Sequence, residues 1–163
     1  MSFKTPDLCD DYSDELQIVL GTPNFNDYGG KLSFSGPIST LKVFEDNTLV
    51  RQQLETDGQG RVLVVDGGAS NRCALLGDML AELGVKNNWA GIVVYGCIRD
   101  SEDIGKLAVG VKALGTMPLK SVKRGEGQID IDVTFQGVTF TAGDYIYCDQ
   151  DGIITAKRNL LAK

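Results

Sequence analysis

Two nearly unbroken apolar runs, "VLVVD" at residues 62–66 and "GIVVYG" at 91–96, constrain this chain more than any other feature. Such runs suit strands buried on both faces, as in a parallel sheet. Between them, "ALLGDMLAELGVKNN" has helical spacing, with Leu76, Met79, Leu80 and Leu83 on one face. Strand, helix, strand is a βαβ unit, whose crossover is almost always right-handed. Gly77 is a poor mid-helix residue and Asp78 a good N-cap. One turn is therefore expected to end at Leu76 and a new helix to start after Asp78.

The flanks complete a mixed α/β pattern. "KTPDLCDDYSDELQIVL" reads as a short helix capped by Thr5, with Pro6 at its first position. "GTPNFNDYGG" reads as a loop, and "KLSFSGPISTLKVFEDN" as one strand or two, interrupted at Gly36-Pro37. "NTLVRQQLETDGQG" is an amphipathic helix with Asn47 as cap and Gly58 as stop. A short helix after Arg99-Asp100 and a strand in "VGVKALGTMP" follow. The C-terminal third alternates polar and apolar residues between Gln136-Gly137, Ala142-Gly143 and Asp151-Gly152, which predicts antiparallel hairpins. One α/β domain over residues 1–163 is expected.

Composition removes several function classes. A net charge of -6 argues against a nucleic-acid groove. The absence of histidine removes Ser-His and Cys-His catalysis and His-ligated zinc, so a metal would sit on oxygen ligands, as Mg²⁺ or Mn²⁺ does. Cys9, Cys73, Cys97 and Cys148 form no CxxC pair and read as thiols in a reducing cytoplasm. No signal peptide is read at the N-terminus, and no apolar run approaches the roughly 18 residues of a membrane span. None of the ten lysines is expected inside an apolar run where desolvation would suit Schiff-base chemistry.

The spacing of three charges raises a sharper question. Asp78 and Arg99 are separated by twenty residues, and Asp100 follows at once. A helix of about ten residues, a short loop and a strand of about six fill that gap, so the chain can return Arg99 and Asp100 to Asp78. In open α/β sheets, ligands gather at this carboxyl edge. Arg99 can grip a carboxylate with two parallel hydrogen bonds, and the N–H groups of Met79 and Leu80 can assist. Asp100 can bind a divalent cation, and Asp78 can orient a metal-bound water or act as a base. An α-keto acid suits such a site. An Asp cap plus a surface Arg-Asp pair explains the same spacing.

At these residues the sequence resembles a known family. "VLVVDGGASNRCALLGDMLAELGVKNNWAGIVVYGCIRD", with "GVTFTAGDYIYCDQDGII" downstream, is similar to the family of the regulator of ribonuclease E activity A and the class II 4-hydroxy-4-methyl-2-oxoglutarate/4-carboxy-4-hydroxy-2-oxoadipate aldolases. The likeness runs from "DLCDDY" to "DGIITA", and its most specific element is Asp78, twenty residues, then Arg99-Asp100. It implies a swivelling β/β/α fold, with mixed sheets, a central βαβ unit and C-terminal hairpins, assembled as a homotrimer or dimer of trimers. It also implies that Gly77, Asp78, Met79, Leu80 and Arg99 bind the pyruvyl group, that Asp100 carries Mg²⁺ or Mn²⁺, and that Asp78 holds a metal-bound water. The activity implied is retro-aldol cleavage to pyruvate, with oxaloacetate decarboxylation. Longer aldolases of the family take a further acidic group from a neighbouring subunit and carry an extension beyond the position of Lys163. The rival reading is a protein inhibitor of a ribonuclease. Methyltransferase work, an old label for relatives, has no glycine-rich nucleoside loop behind it.

Overall fold

The computed structural model describes residues 2–21 and 24–163. The two apolar runs are adjacent parallel strands, β4 (Val62–Asp66) and β6 (Gly91–Ile98), in register from Val62↔Gly91 to Asp66↔Tyr95. Their side chains alternate between two cores. Leu63, Val65, Ile92 and Val94 enter one, while Val62, Val64 and Val93 enter the other. A sheet apolar on both faces needs a layer on each side.

One layer is helical: α2 (Thr48–Leu54) and α3 (Asp78–Lys86) bring Val50, Leu54, Leu80 and Ala81 to the first core. The other is β structure. The hairpins β9 (Val133–Phe135)–β10 (Val138–Phe140) and β11 (Tyr145–Asp149)–β12 (Gly152–Ala156) supply Phe135, Phe140, Ile146 and Ile153 to the second core. Beyond them, α1 (Thr5–Tyr12) sets Leu8 in a cluster with Tyr147 and Ile154. The layers therefore run α, β, β, α, and the fold is mixed α/β.

β3 (Phe34–Lys42) joins the sheets. Phe34 to Pro37 pair antiparallel with β11, and Ile38 to Lys42 pair parallel with β4. Gly36-Pro37 thus changes the strand's partner without breaking it. Gly36 is needed for space, because a Cβ there would collide with the carbonyl oxygen of Gly60. β1 (Leu16–Ile18) adds to the edge at β12, and β7 (Gly110–Thr116) extends the parallel sheet beyond β6.

Several elements differ from their sequence reading. α1 stops at Tyr12, and Leu16–Ile18 is the strand β1. Thr5 lies inside the helix, after Lys4 at the cap position, and its hydroxyl and N–H donate to Asp149 at 2.7 and 2.6 Å. The loop after Gly21 contains β2 (Asn26–Asp27), paired with β7; Thr22 and Pro23 of that loop lie outside the described residues. Leu76 is not helical: it ends β5 (Ala74–Leu76), parallel to β6. The lysine expectation fails at Lys112, which is 2% exposed within β7. Its ammonium meets Asp27 at 2.9 Å, so the buried charge fastens the edge strand β2 instead of serving as an amine nucleophile. Among the described residues, no helix is long and apolar enough to cross a membrane.

Phe34 shows how closely the layers approach. Gly91 and Gly110 are register partners on β6 and β7, and a Cβ on either would stand inside the Phe34 ring. Gly110→Ala is expected to cost about 1–3 kcal/mol, the usual range for overpacking. The measurement is a lower urea midpoint, with a less than additive loss when Gly110→Ala is combined with Phe34→Leu. Strict additivity would contradict the packing.

Candidate active site

The site forms where β5 and β6 leave the sheet side by side. The Arg99 N–H donates to the Leu76 carbonyl at 2.9 Å, which holds the two exits together. Gly77 then occupies the cap position of α3 and Asp78 its first turn, one place later than the N-cap role expected of Asp78. Gly77 suits the cap because a Cβ there would stand 2.8 Å from Asp100 Oδ2. The Asp78 N–H donates to that oxygen at 3.1 Å. The three charges do meet.

Asp100 stands in the left-handed region, at φ 57° and ψ 39°, and opens α4 (Ser101–Ile104). The Ile104 N–H donates to its carbonyl at 2.9 Å. Among the described residues Asp100 makes no ion pair with Arg99, and neither does Asp78. Among the described residues, Arg99 reaches only the Pro118 carbonyl, at 3.5 Å. Its guanidinium therefore keeps most of its N–H groups for a ligand.

The helix start is partly occupied. The Met79 N–H donates to Asp78 Oδ1 at 2.8 Å, so of the two amides expected to bind an anion, that of Leu80 alone has no acceptor among the described residues. The Met79 side chain is 65% exposed, and Leu80 is buried in the core.

Gly77, Asp78, Met79, Leu80, Arg99 and Asp100 all line a pocket of about 440 Å³. Its other wall was absent from the sequence reading. Arg51 and Thr48 come from α2, and Lys120, Lys123 and Arg124 come from the segment after β7. The run "LKSVKRG" (119–125) is visibly basic within an acidic chain, and that was the available signal. Arg51 pairs with Glu55 at 3.0 Å, but Lys120, Lys123 and Arg124 have no acidic partner among the described residues.

That wall is pinned by Asp46, itself 2% exposed. Its carboxylate accepts N–H groups from Thr48 at 2.9 Å, Arg124 at 2.8 Å and Glu126 at 3.1 Å. Asn47 holds the cap position of α2 as expected, but Asp46 accepts the Thr48 N–H. The Val122 N–H donates to the Glu45 carbonyl at 3.1 Å, and Ala74 donates to Leu119 at 2.7 Å. Burial alone would raise the Asp46 carboxyl, yet the donated N–H groups outweigh it and hold the group at about 2.

The donor chemistry suits a hard cation. Asp100 Oδ1 and Asp78 Oδ2 have no hydrogen-bond partner among the described residues, and both are oxygen ligands. No group of three or more His, Cys, Asp or Glu side chains gathers there or elsewhere among the described residues. Such a sparse set fits Mg²⁺ or Mn²⁺, which bind through one or two carboxylates and fill the remaining positions with water and substrate. The thiols do not contribute: burial raises Cys73, Cys97 and Cys148, which makes them poor nucleophiles near neutral pH.

Residues 5–155 match the RraA-like family, described as Aldolase/RraA. A protein of Aromatoleum aromaticum named "Putative 4-hydroxy-4-methyl-2-oxoglutarate aldolase" is 60% identical over 161 residues, which cover 99% of this chain and 100% of that protein. A crystal structure from Geobacillus kaustophilus HTA426, described as an S-adenosylmethionine: 2-dimethylmenaquinone methyltransferase, has a TM-score of 0.96 at 52% identity, covering 99% of each chain. The structure of the RNA-processing inhibitor RraA from Thermus thermophilis has a TM-score of 0.92 at 40% identity, covering 100% of this chain and 99% of that one.

The Asp46 clamp gives a signed pH prediction. A carboxyl depressed on folding contributes stability in full above its unfolded value of 3.8, and loses it as the pH falls through about 2. Asp46→Asn should cost on the order of 2 kcal/mol at neutral pH. The gap between variant and wild type should close between about pH 4 and pH 2, as followed by urea unfolding at stepped pH. A gap independent of pH would contradict the clamp.

Proposed function

We infer the activity from two premises: this chain belongs to the RraA-like family, and its basic pocket gathers Gly77, Asp78, Arg99 and Asp100. The reading they support best is a divalent-metal-dependent carbon–carbon lyase. It cleaves 4-hydroxy-4-methyl-2-oxoglutarate or 4-carboxy-4-hydroxy-2-oxoadipate to pyruvate and a second keto acid, and decarboxylates oxaloacetate. The observation that carries it is an Arg99 with no ion-pair partner among the described residues, beside two carboxylates in a pocket whose remaining charges are positive.

Each residue has a role in this chemistry. Arg99 pairs with the keto-acid carboxylate, and the open Leu80 N–H assists it. The C3–C4 bond breaks, its electron pair moves onto the C2 oxygen as an enolate, and the 4-hydroxyl proton leaves. Asp78, whose Oδ2 has no partner among the described residues, takes that proton directly or through water. A proton returned to C3 completes pyruvate. With oxaloacetate the same bond breaks and CO₂ departs. Asp100 would hold a Mg²⁺ or Mn²⁺ ion, whose positive charge would stabilise the developing enolate.

A second reading has its own observation. The likeness to the Thermus RNA-processing inhibitor, at 40% identity over the whole chain, favours a ribonuclease-binding role that can coexist with catalysis. Inhibition of ribonuclease cleavage unchanged by Asp100→Ala would assign that role to the protein surface.

The purified protein is expected to decarboxylate oxaloacetate with Mg²⁺ or Mn²⁺ and to stop in EDTA. Asp100→Ala should lower kcat/KM at least about 100-fold, and Arg99→Ala by about 100- to 1,000-fold, as for other groups that stabilise developing charge. Metal-independent turnover, or full activity in Asp100→Ala, would overturn the lyase reading.

A further inference from the structure

The roles proposed for Arg99, Asp78 and Asp100 account for one end of a substrate; the further cations that line the pocket have no role yet. Lys123 and Arg124 line the pocket and have no acidic partner among the described residues, in a chain of net charge -6. Their backbone is not a free loop. Asp46 accepts the N–H groups of Arg124 and Glu126, the Val122 N–H is bound by the Glu45 carbonyl, and the Gly125 N–H donates to Thr48 Oγ1 at 3.3 Å. Two long cationic side chains therefore project from a fixed base into the pocket that also holds Arg99. Lys120, anchored beside Ala74 by a strand bridge, adds a third positive charge.

We propose that Lys123 and Arg124 form a second carboxylate subsite, which selects keto acids carrying a further carboxylate remote from the keto-acid group. The inference rests on the keto-acid reading of this pocket and adds the residues that choose among keto acids. A monocarboxylate satisfies Arg99 and leaves Lys123 and Arg124 unpaired. A dicarboxylate of five or six carbons has a second carboxylate to offer those cations, and a volume of about 440 Å³ accommodates it. Unpaired cations facing a shared cavity raise the local concentration of multiply charged anions, which steers such substrates inward. Arg124 adds geometry, since its guanidinium binds a carboxylate with two parallel hydrogen bonds, whereas Lys123 acts as a point charge.

Binding alone tests this, without turnover. Calorimetry of the full chain with Mg²⁺ in the buffer compares 2-oxoglutarate, which has the second carboxylate, with 2-oxobutanoate, which lacks it. Wild type is expected to favour 2-oxoglutarate by about 10-fold or more, the usual worth of a charge-assisted hydrogen bond. Lys123→Gln and Arg124→Gln should each lower that preference several-fold, and the double variant should abolish it. Lys86→Gln, the same charge change at the last turn of α3, should leave the preference intact and so controls for net charge. Equal wild-type affinity for the two acids, or a preference that survives the double variant, overturns the subsite. Failure of the lyase reading shows up elsewhere, as absence of metal-dependent turnover, so the two outcomes are separable.

Discussion

A single backbone hydrogen bond, from the Arg99 N–H to the Leu76 carbonyl, is the joint on which the pocket depends. It extends the pairing of β5 with β6 just past the last paired residues. Parallel strands leave a sheet on the same edge, so the residues after the joint, Gly77-Asp78 and Arg99-Asp100, are forced into one small volume. The Met117 N–H donates to the Ile98 carbonyl at 2.9 Å, so β7 leaves beside them and delivers the basic segment. Three chain exits thus converge because three strands are parallel, and parallel pairing follows from apolar runs buried on both faces.

The frame was legible because its signal is strong and local. "VLVVD" and "GIVVYG" admit little except buried strands, and the hairpin turns of the C-terminal third sit between regular alternations. The failures have physical causes. Ala74, Leu75 and Leu76 fit a helix or a buried strand equally well over so short a span, and only pairing with β6 decides between them. The start of α3 was placed one residue late because Gly77 is chosen for the room it leaves Asp100 Oδ2, a contact with a residue far along the chain that local propensity does not register. The burial of Lys112 was not expected because its partner, Asp27, lies on a two-residue strand inside a turn-rich segment. The convergence of Asp78, Arg99 and Asp100 was legible as a possibility in the arithmetic of helix and strand lengths. The basic wall was not read at all, since nothing in "LKSVKRG" says that it folds back over α2.

Charge distribution explains why that wall matters. The chain as a whole is acidic, so any anion approaching at random meets repulsion. The pocket inverts that sign with Arg51, Arg99, Lys120, Lys123 and Arg124 against Asp78 and Asp100. Such an arrangement is costly for folding, because like charges repel. The compensation is local: Asp46, buried beneath the wall, offers its carboxylate to backbone N–H groups and keeps its charge down to about pH 2. A neutral residue there would leave those N–H groups without a charged acceptor and the cationic segment without its fixed base.

Asp100 carries the same logic into the backbone. A non-glycine residue at φ 57° costs on the order of 1 kcal/mol, and asparagine or glycine tolerates that region more easily. The turn holds because neighbouring groups over-determine it: the Ile104 N–H binds the Asp100 carbonyl, the Asp78 N–H binds Oδ2, and Gly77 leaves the space. None of those contacts requires the second carboxylate oxygen, Oδ1, which has no hydrogen-bond partner among the described residues. An amide could keep the turn through one oxygen; a full negative charge, with an oxygen to spare, is more than the fold needs. Asp100 lines a pocket of cations, so that surplus charge stands where the fold itself makes no use of it.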